Sequence, residues 1–151
     1  QEILPGQTVE LTVNPQDRRG KPYITAIGSA ADTGDAGLVG RGNRLNGLIT
    51  PMRPMSIEAP AGKNPIDHTG KIYGLLAHKL AWDLHREFKQ AFEVHIFTLK
   101  ESLLIDPDKI LVNCEKITPE IEAGIKRMAQ HAVTNVHQVI KAFVEEGATL
   151  W

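Results

Sequence analysis

Between Gly28 and Gly70 the chain carries glycine at 28, 34, 37, 40, 42, 47 and 62 and proline at 51, 54, 60 and 65. Glycine costs a helix interior roughly 1 kcal/mol and proline about 3, and proline removes a donor from any strand ladder. The stretch therefore admits little regular structure, and the fold has to be built from its flanks. A loop longer than about 12–15 residues in a compact domain is usually functional or disordered. Disorder is the plain alternative here. Against it, the stretch includes Leu38, Val39, Leu45, Leu48, Ile49, Met52, Met55 and Ile57, too apolar for a solvated linker. It reads as an ordered site loop.

On the amino-terminal flank, Val9, Leu11 and Val13 alternate with polar residues, and Tyr23, Ile24 and Ile27 follow, so residues 7–13 and 23–28 read as strands. The polar run from Asn14 to Gly20 suits a hairpin connection. After the loop, Asn64 and Pro65 carry the cap and first-position signals of a helix, with Asp67 at its third position. Ile72, Leu75, Leu76, Leu80, Leu84 and Phe88 form its apolar face. Gly70 and Gly74 weaken its first turns, so either it starts near Lys71 or those glycines let another backbone approach closely. Phe92, Val94 and Ile96 predict a strand, Ile110, Val112 and Cys114 another, with Ser102 to Asp108 between them. Thr118 and Pro119 then open a helix carrying Ile121, Ile125, Met128, Ala132, Val136, Val139 and Phe143, and Gly147 closes it. The expected fold class is α+β: a mostly antiparallel sheet covered on one face by two long helices.

Formal net charge is -1, which removes the basic excess that nucleic acid or an anionic membrane surface would favour. Cys114 is the single cysteine, excluding an intrachain disulfide framework and fitting a reduced, cytoplasmic setting. No apolar run approaches the ~20 residues of a membrane span. The chain opens on Gln1 and enters alternation by Val9, which reads as a cut through a longer protein, or else as a processed terminus.

The chemistry concentrates in the loop. Gly34 to Arg44 sets four glycines among Arg41, Arg44 and Asp35. Glycine lets successive backbone N–H groups turn toward an anion, and arginine donates planar, paired hydrogen bonds to phosphate oxygens. Arg53, Lys63 and Lys71 follow, with Lys63 beside an expected helix N-terminus, itself an anion site. Between residues 35 and 71 these five cations face Asp35, Glu58 and Asp67. A polyphosphate is the natural ligand; a glycine-rich structural loop with solvated arginines is the competing reading. Neither the phosphate-loop pattern ending in Gly-Lys-Ser/Thr nor the dinucleotide glycine spacing is present.

The run Gly34-Asp35-Ala36-Gly37-Leu38-Val39-Gly40-Arg41, continuing Gly42-Asn43-Arg44-Leu45-Asn46-Gly47-Leu48-Ile49-Thr50-Pro51, resembles the signature of archaeal S-adenosylmethionine synthetases. Arg53-Pro54-Met55-Ser56, Glu58, Ala61-Gly62-Lys63-Asn64-Pro65, His68 and Gly70-Lys71-Ile72-Tyr73 continue it without a gap. The flanks agree more loosely, so residues 1–151 resemble the carboxy-terminal portion of such an enzyme and span parts of two of its interleaved units.

The resemblance implies a homodimeric methionine adenosyltransferase acting on ATP and L-methionine, with Mg2+ and a K+-like cation assisting. The methionine sulfur attacks C5′ of the ribose, and triphosphate leaves and is split to phosphate and diphosphate. It implies that Asp35 orients methionine's amino group or the adenosine, that Arg41 holds the polyphosphate, and that Lys63 bridges to its transferred end. Arg44, His68 and Lys71 are further ATP-site candidates. Gly42 stands where bacterial and animal members carry lysine, with Arg44 as the candidate substitute. Asp67 and His68 lie near the family's metal position, but no metal ligand is assigned. His68 fits a phosphate contact or a helix-start residue equally.

Other residues carry plainer readings. His78 and His85, and His131 and His137, lack a metal-ligand pattern; Cys114 reads as a core thiol; Trp82 and Trp151 read as packing residues, within the chain or at a subunit contact. The histidine-aspartate ATP motif and second glycine-rich loop that the family carries early are not in this sequence. The expectation is a chain that works with the rest of a synthetase and is inactive alone. Its alternatives are a non-catalytic interaction or assembly module and a generic polyphosphate-binding domain.

Overall fold

A computed structural model of the chain describes residues 42–56, 58–99, 102–147 and 150. The strands expected at 7–13 and 23–28, and the site residues Asp35 and Arg41, lie outside the described residues. The elements run α1 (Thr69–Phe88), β1 (Phe92–Phe97), β2 (Lys109–Cys114), α2 (Pro119–Thr134) and α3 (Val136–Glu146).

Helix α1 is the spine. Its apolar stripe places Ile72, Tyr73, Leu76, Leu80 and Leu84 in the interior, and each large aliphatic buried this way contributes about 1.5–3 kcal/mol. The helix starts five residues later than Asn64. Asn64 Oδ1 accepts instead from the Ile66 amide at 2.9 Å, making a local turn, and His68 takes the cap position with Nδ1 accepting from the Lys71 amide. Asp67 accordingly sits before the first turn. At the other end Lys89 adopts a left-handed conformation, φ 56°, and its N–H donates to His85 O.

β1 and β2 pair antiparallel, with Phe92 opposite Cys114 and Phe97 opposite Lys109. Strand alternation sends Phe92, Val94, Ile96, Ile110 and Val112 toward the helices. Glu93, His95, Phe97, Leu111 and Asn113 take the other face. The connection between the strands is tied down by Asp108, whose Oδ2 accepts from the Leu99 amide at 2.7 Å and Ser102 Oγ at 3.1 Å. Tyr73 reaches it from α1, donating its hydroxyl to Leu104 O at 3.1 Å, and burial pushes that phenol's pKa up. Cys114 is half-buried and its thiol faces Lys116 O.

The last helix is two. Thr118 caps α2 as expected, accepting from the Ile121 amide, but Asn135 (φ -104°, ψ 22°) interrupts the stripe before α3 begins. Its side-chain Nδ2 donates to His131 O at 2.9 Å, the same carbonyl its own backbone N–H uses. Asparagine competes with helical pairing in this way. Val133 and Val136 are buried on either side of the break, so the apolar spacing passes through unbroken, and Gly147 ends α3. The outcome is α+β with helices on the sheet, with three helices among the described residues where two were expected. The core has two parts. Ile72, Tyr73 and Leu76 pack with Val133 and Val136, and Leu80 and Leu84 pack with Ala129. Trp82 is exposed in this chain, so it does not pack in its core, and its indole N–H donates to His78 Nε2.

Candidate functional site: a cationic loop closing on the start of α1

The described part of the loop folds on itself through backbone carbonyls. Arg44 is 4% exposed; its Nε donates to Ser56 O at 2.9 Å and its Nη1 donates to Gly42 O. Arg44 and Gly47 bridge as a short antiparallel pair. Asn46 then joins the loop's two limbs, donating to Pro54 O at 2.6 Å and accepting on its own carbonyl from Arg53 Nη1 at 3.0 Å. Thr50 and Met52 take left-handed φ values of 55° and 59°, strained for residues with a Cβ. Thr50 is buried there, its hydroxyl donating to Asn46 Oδ1.

One apolar anchor fastens this fold to the spine. A Cβ placed at Gly74 would lie 2.5 Å from Leu45 Cδ1, so glycine at this turn of α1 makes the seat for that leucine. The close neighbour is a side chain. The loop's other described leucine, isoleucine and methionine residues do not follow Leu45 into the interior. Leu48, Ile49, Met52 and Met55 are exposed.

Past Pro60 the loop delivers its cations to the start of α1. Lys63 Nζ lies 3.3 Å from Glu58 Oε1, and His68 Nε2 lies 3.0 Å from Glu58 Oε2. The hydrogen bond with His68, then that with Lys63, holds the Glu58 carboxyl below its usual range. Lys71, only 4% exposed, points away from this cluster's surface. Its Nζ donates to Lys63 O at 2.9 Å and sits 4.5 Å from the centre of the Phe143 ring. Lys71 and Ile72 amides both donate to His68 O. Thr69 and Gly70 are left as the orphan amide donors of the first turn, among the described residues.

Of the sequence-derived site residues, Lys63, His68 and Lys71 thus come together, and Arg44 holds the loop that leads to them. Asp35 and Arg41 lie outside the described residues. Glu58 and Phe143 were missed as members of the cluster. Glu58 stood as one of the three anions and as a residue of the family signature, without a role, and Phe143 only as a stripe residue, and no local period links either to Lys63. Away from the cluster, α1, α2 and α3 enclose a groove of about 970 Å³ with a mainly apolar lining that includes Leu75, Met128 and Val139. Among the described residues, no three His, Cys, Asp or Glu side chains converge as a metal site, and no helix is long and apolar enough to cross a membrane.

These features define an α+β protein that gathers ammonium, imidazole and helix-start amides at the end of a glycine-rich loop. The chain belongs to the S-adenosylmethionine synthetase family, whose model matches residues 1–147. The S-adenosylmethionine synthase of Pyrobaculum aerophilum is 38% identical over 99% of this chain, and that match covers 39% of the relative. The synthase of Caldivirga maquilingensis is 40% identical over 95% of the chain and 37% of its own length. That of Aeropyrum pernix is 51% identical over 62% of the chain and 24% of its own length. The chain therefore spans about two fifths of the curated relatives it matches most fully.

Proposed function

We propose that this chain supplies the triphosphate side of a methionine adenosyltransferase site, working with further synthetase sequence. The observation that carries the reading is the meeting of Lys63 and His68 on Glu58 at the start of α1, at the end of the glycine-rich loop. Membership of the synthetase family supports ATP and L-methionine as the substrates that cluster would meet.

The reaction asks little proton chemistry of the protein. A thioether sulfur carries a free lone pair, so no general base is needed. The lone pair forms the bond to C5′ while the C5′–O bond breaks and its electrons leave with the triphosphate. Catalysis then rests on alignment and on fixed positive charge where the leaving group's negative charge grows. Lys63 supplies an ammonium at the terminal phosphoryl group, and the Thr69 and Gly70 amides add donors backed by the helix dipole. Arg41 holds the polyphosphate from the loop, with Asp35 orienting methionine or adenosine. Arg44 shapes the loop, and His68 both caps α1 and borders the anion.

Mg2+ and K+ accompany the reaction in this proposal, neutralising phosphate charge when bound. The described residues do not themselves fit a magnesium site, because Glu58, the carboxylate nearest Lys63, already serves two partners. No step is assigned to either cation. The exposed Leu48, Ile49, Met52 and Met55 form an apolar fringe of the kind that marks an interaction surface. It suits contact with the rest of the synthetase, in a cytoplasmic homodimer.

The test is an assay of S-adenosylmethionine formation with ATP, methionine and magnesium. The chain alone is expected to make no product. In a complete synthetase carrying it, Arg41→Ala and Lys63→Ala should each lower turnover by at least about a hundredfold, as loss of a positioned charge donor does elsewhere. Normal turnover in both variants would refute the reading.

A further inference from the structure

Four residues at the mouth of the site form a closed circuit. Lys63 Nζ donates to Glu58 Oε1 at 3.3 Å, and Glu58 Oε2 meets His68 Nε2 at 3.0 Å. His68 Nδ1 accepts from the Lys71 amide at 3.1 Å, and Lys71 Nζ returns to the Lys63 carbonyl at 2.9 Å. The circuit also fixes the imidazole tautomer. Because Nδ1 accepts the cap bond, the neutral ring carries its proton on Nε2, which is the atom facing the carboxylate.

We propose that Glu58 and Lys71 are positioning residues for Lys63, Glu58 setting the direction of its ammonium and Lys71 setting its backbone, neither touching the polyphosphate. This rests on the polyphosphate reading above. Three observations argue for it. First, Lys71 is buried with its ammonium committed to a carbonyl and the Phe143 face, so its charge steadies the turn that carries Lys63. Second, a lysine ammonium has three donors. Glu58 takes one and thereby orients the other two, which remain for a ligand. Third, an exposed lysine–carboxylate pair alone holds loosely, whereas here the carboxylate is itself held by His68, the residue that caps the 20-residue helix α1. Phe143 extends the linkage, since it places α3 under the ammonium that holds Lys63 in place.

The test uses the full chain in two measurements. Competitive acetylation with acetic anhydride, read at each lysine by mass spectrometry, reports how firmly the Lys63 amine is held by its partner. Tripolyphosphate protection of Lys63 in the same assay reports the site. Glu58→Gln has a single acceptor oxygen and cannot hold both the Lys63 ammonium and the His68 Nε2–H as the two carboxylate oxygens do. It should speed Lys63 acetylation about threefold or more, since an amine no longer held by a carboxylate is freer to meet the reagent. The same variant should need about tenfold more tripolyphosphate for protection, one lost charge-assisted bond being of that order. Lys71→Met should resemble Glu58→Gln, and Lys71→Arg should stay near wild type, because a guanidinium both donates to a carbonyl and stacks on a ring. Where Lys71→Met does not fold, Glu58→Gln and Lys71→Arg carry the test. Equal Lys63 acetylation in wild type and Glu58→Gln overturns the proposal. Acetylation that responds to Glu58 while tripolyphosphate protects Lys63 in no protein, wild type included, overturns the polyphosphate reading, and the positioning role falls with it.

Discussion

Replacing Gly74 with alanine separates the stability of α1 from the attachment of the site loop. The new Cβ would lie 2.5 Å from Leu45 Cδ1, whereas carbon atoms settle at about 3.5–4.0 Å, so the leucine must withdraw by roughly 1 Å or more. Leu45 is half-buried. Half the value of a fully buried leucine is about 1 kcal/mol, and that is what the loop loses. Alanine returns about 1 kcal/mol to the helix by its better propensity. The two effects oppose each other in the global unfolding equilibrium, but only the loss acts on loop opening. Melting should therefore shift by no more than about 2 °C, since a chain of this size moves about 2–4 °C per kcal/mol. Hydrogen exchange at the Arg44 and Gly47 amides, which close the loop's short bridge, should accelerate about fivefold, the factor 1 kcal/mol represents. Amides of α1 around Leu80 should be unchanged. A variant that melts 2–4 °C higher with the same loop exchange would show that Leu45 is not seated on Gly74, and would refute the reasoning.

Leu84 is fully buried between α1, α2 and β1, and Leu84→Ala should cost about 2–5 kcal/mol in denaturant unfolding; a loss below about 1 kcal/mol would contradict the core as described. Glu58 should titrate below a free glutamate in a carbon-detected NMR titration, because His68 and then Lys63 hydrogen-bond its charged form. A lowered carboxyl pKa stabilises the fold above the unfolded value and loses that effect as pH falls through the folded one. The contribution should therefore fade on the acid side, below about pH 4, and Glu58→Gln should remove that acid-side dependence; a Glu58 midpoint at or above the ordinary value would overturn this. Asn135→Ala takes away the side-chain competitor at His131 O and should raise helicity at the α2–α3 junction by circular dichroism; lower helicity would argue that Asn135 supports the break in some other way.

The sequence carried the elements whose signals are local. Strand alternation placed β1 and β2 within a residue, and the α1 stripe named Ile72, Leu76, Leu80 and Leu84 but not the buried Tyr73, because burial on one face imposes the period directly. Signals failed where tertiary contacts decided between local options. Asn64-Pro65 had every mark of a helix start, yet His68 wins because its Nδ1 can accept from Lys71 while Asn64 closes its own turn. The α2–α3 break was hidden because Val136, Val139 and Phe143 keep the spacing of the preceding stripe, and only Asn135 marks it. The loop's apolar residues argued for order over a solvated linker but did not say which would anchor it; within the described residues Leu45 finds a seat, against Gly74, while Leu48, Ile49, Met52 and Met55 stay exposed. At the site, Lys63 and His68 were readable as residue types. Their shared partner Glu58, five and ten residues away along an irregular backbone, follows no period a sequence can display.

The central claim is that cations converging on the start of α1 bind a polyphosphate. Calorimetric titration of tripolyphosphate into the chain, into Lys63→Ala and into Arg41→Ala tests it most directly. The account predicts binding that weakens as salt rises, and an affinity loss of about tenfold or more in each variant, the cost of one charge-assisted contact. Equal affinity in all three proteins, or heat that does not depend on Lys63, would contradict it.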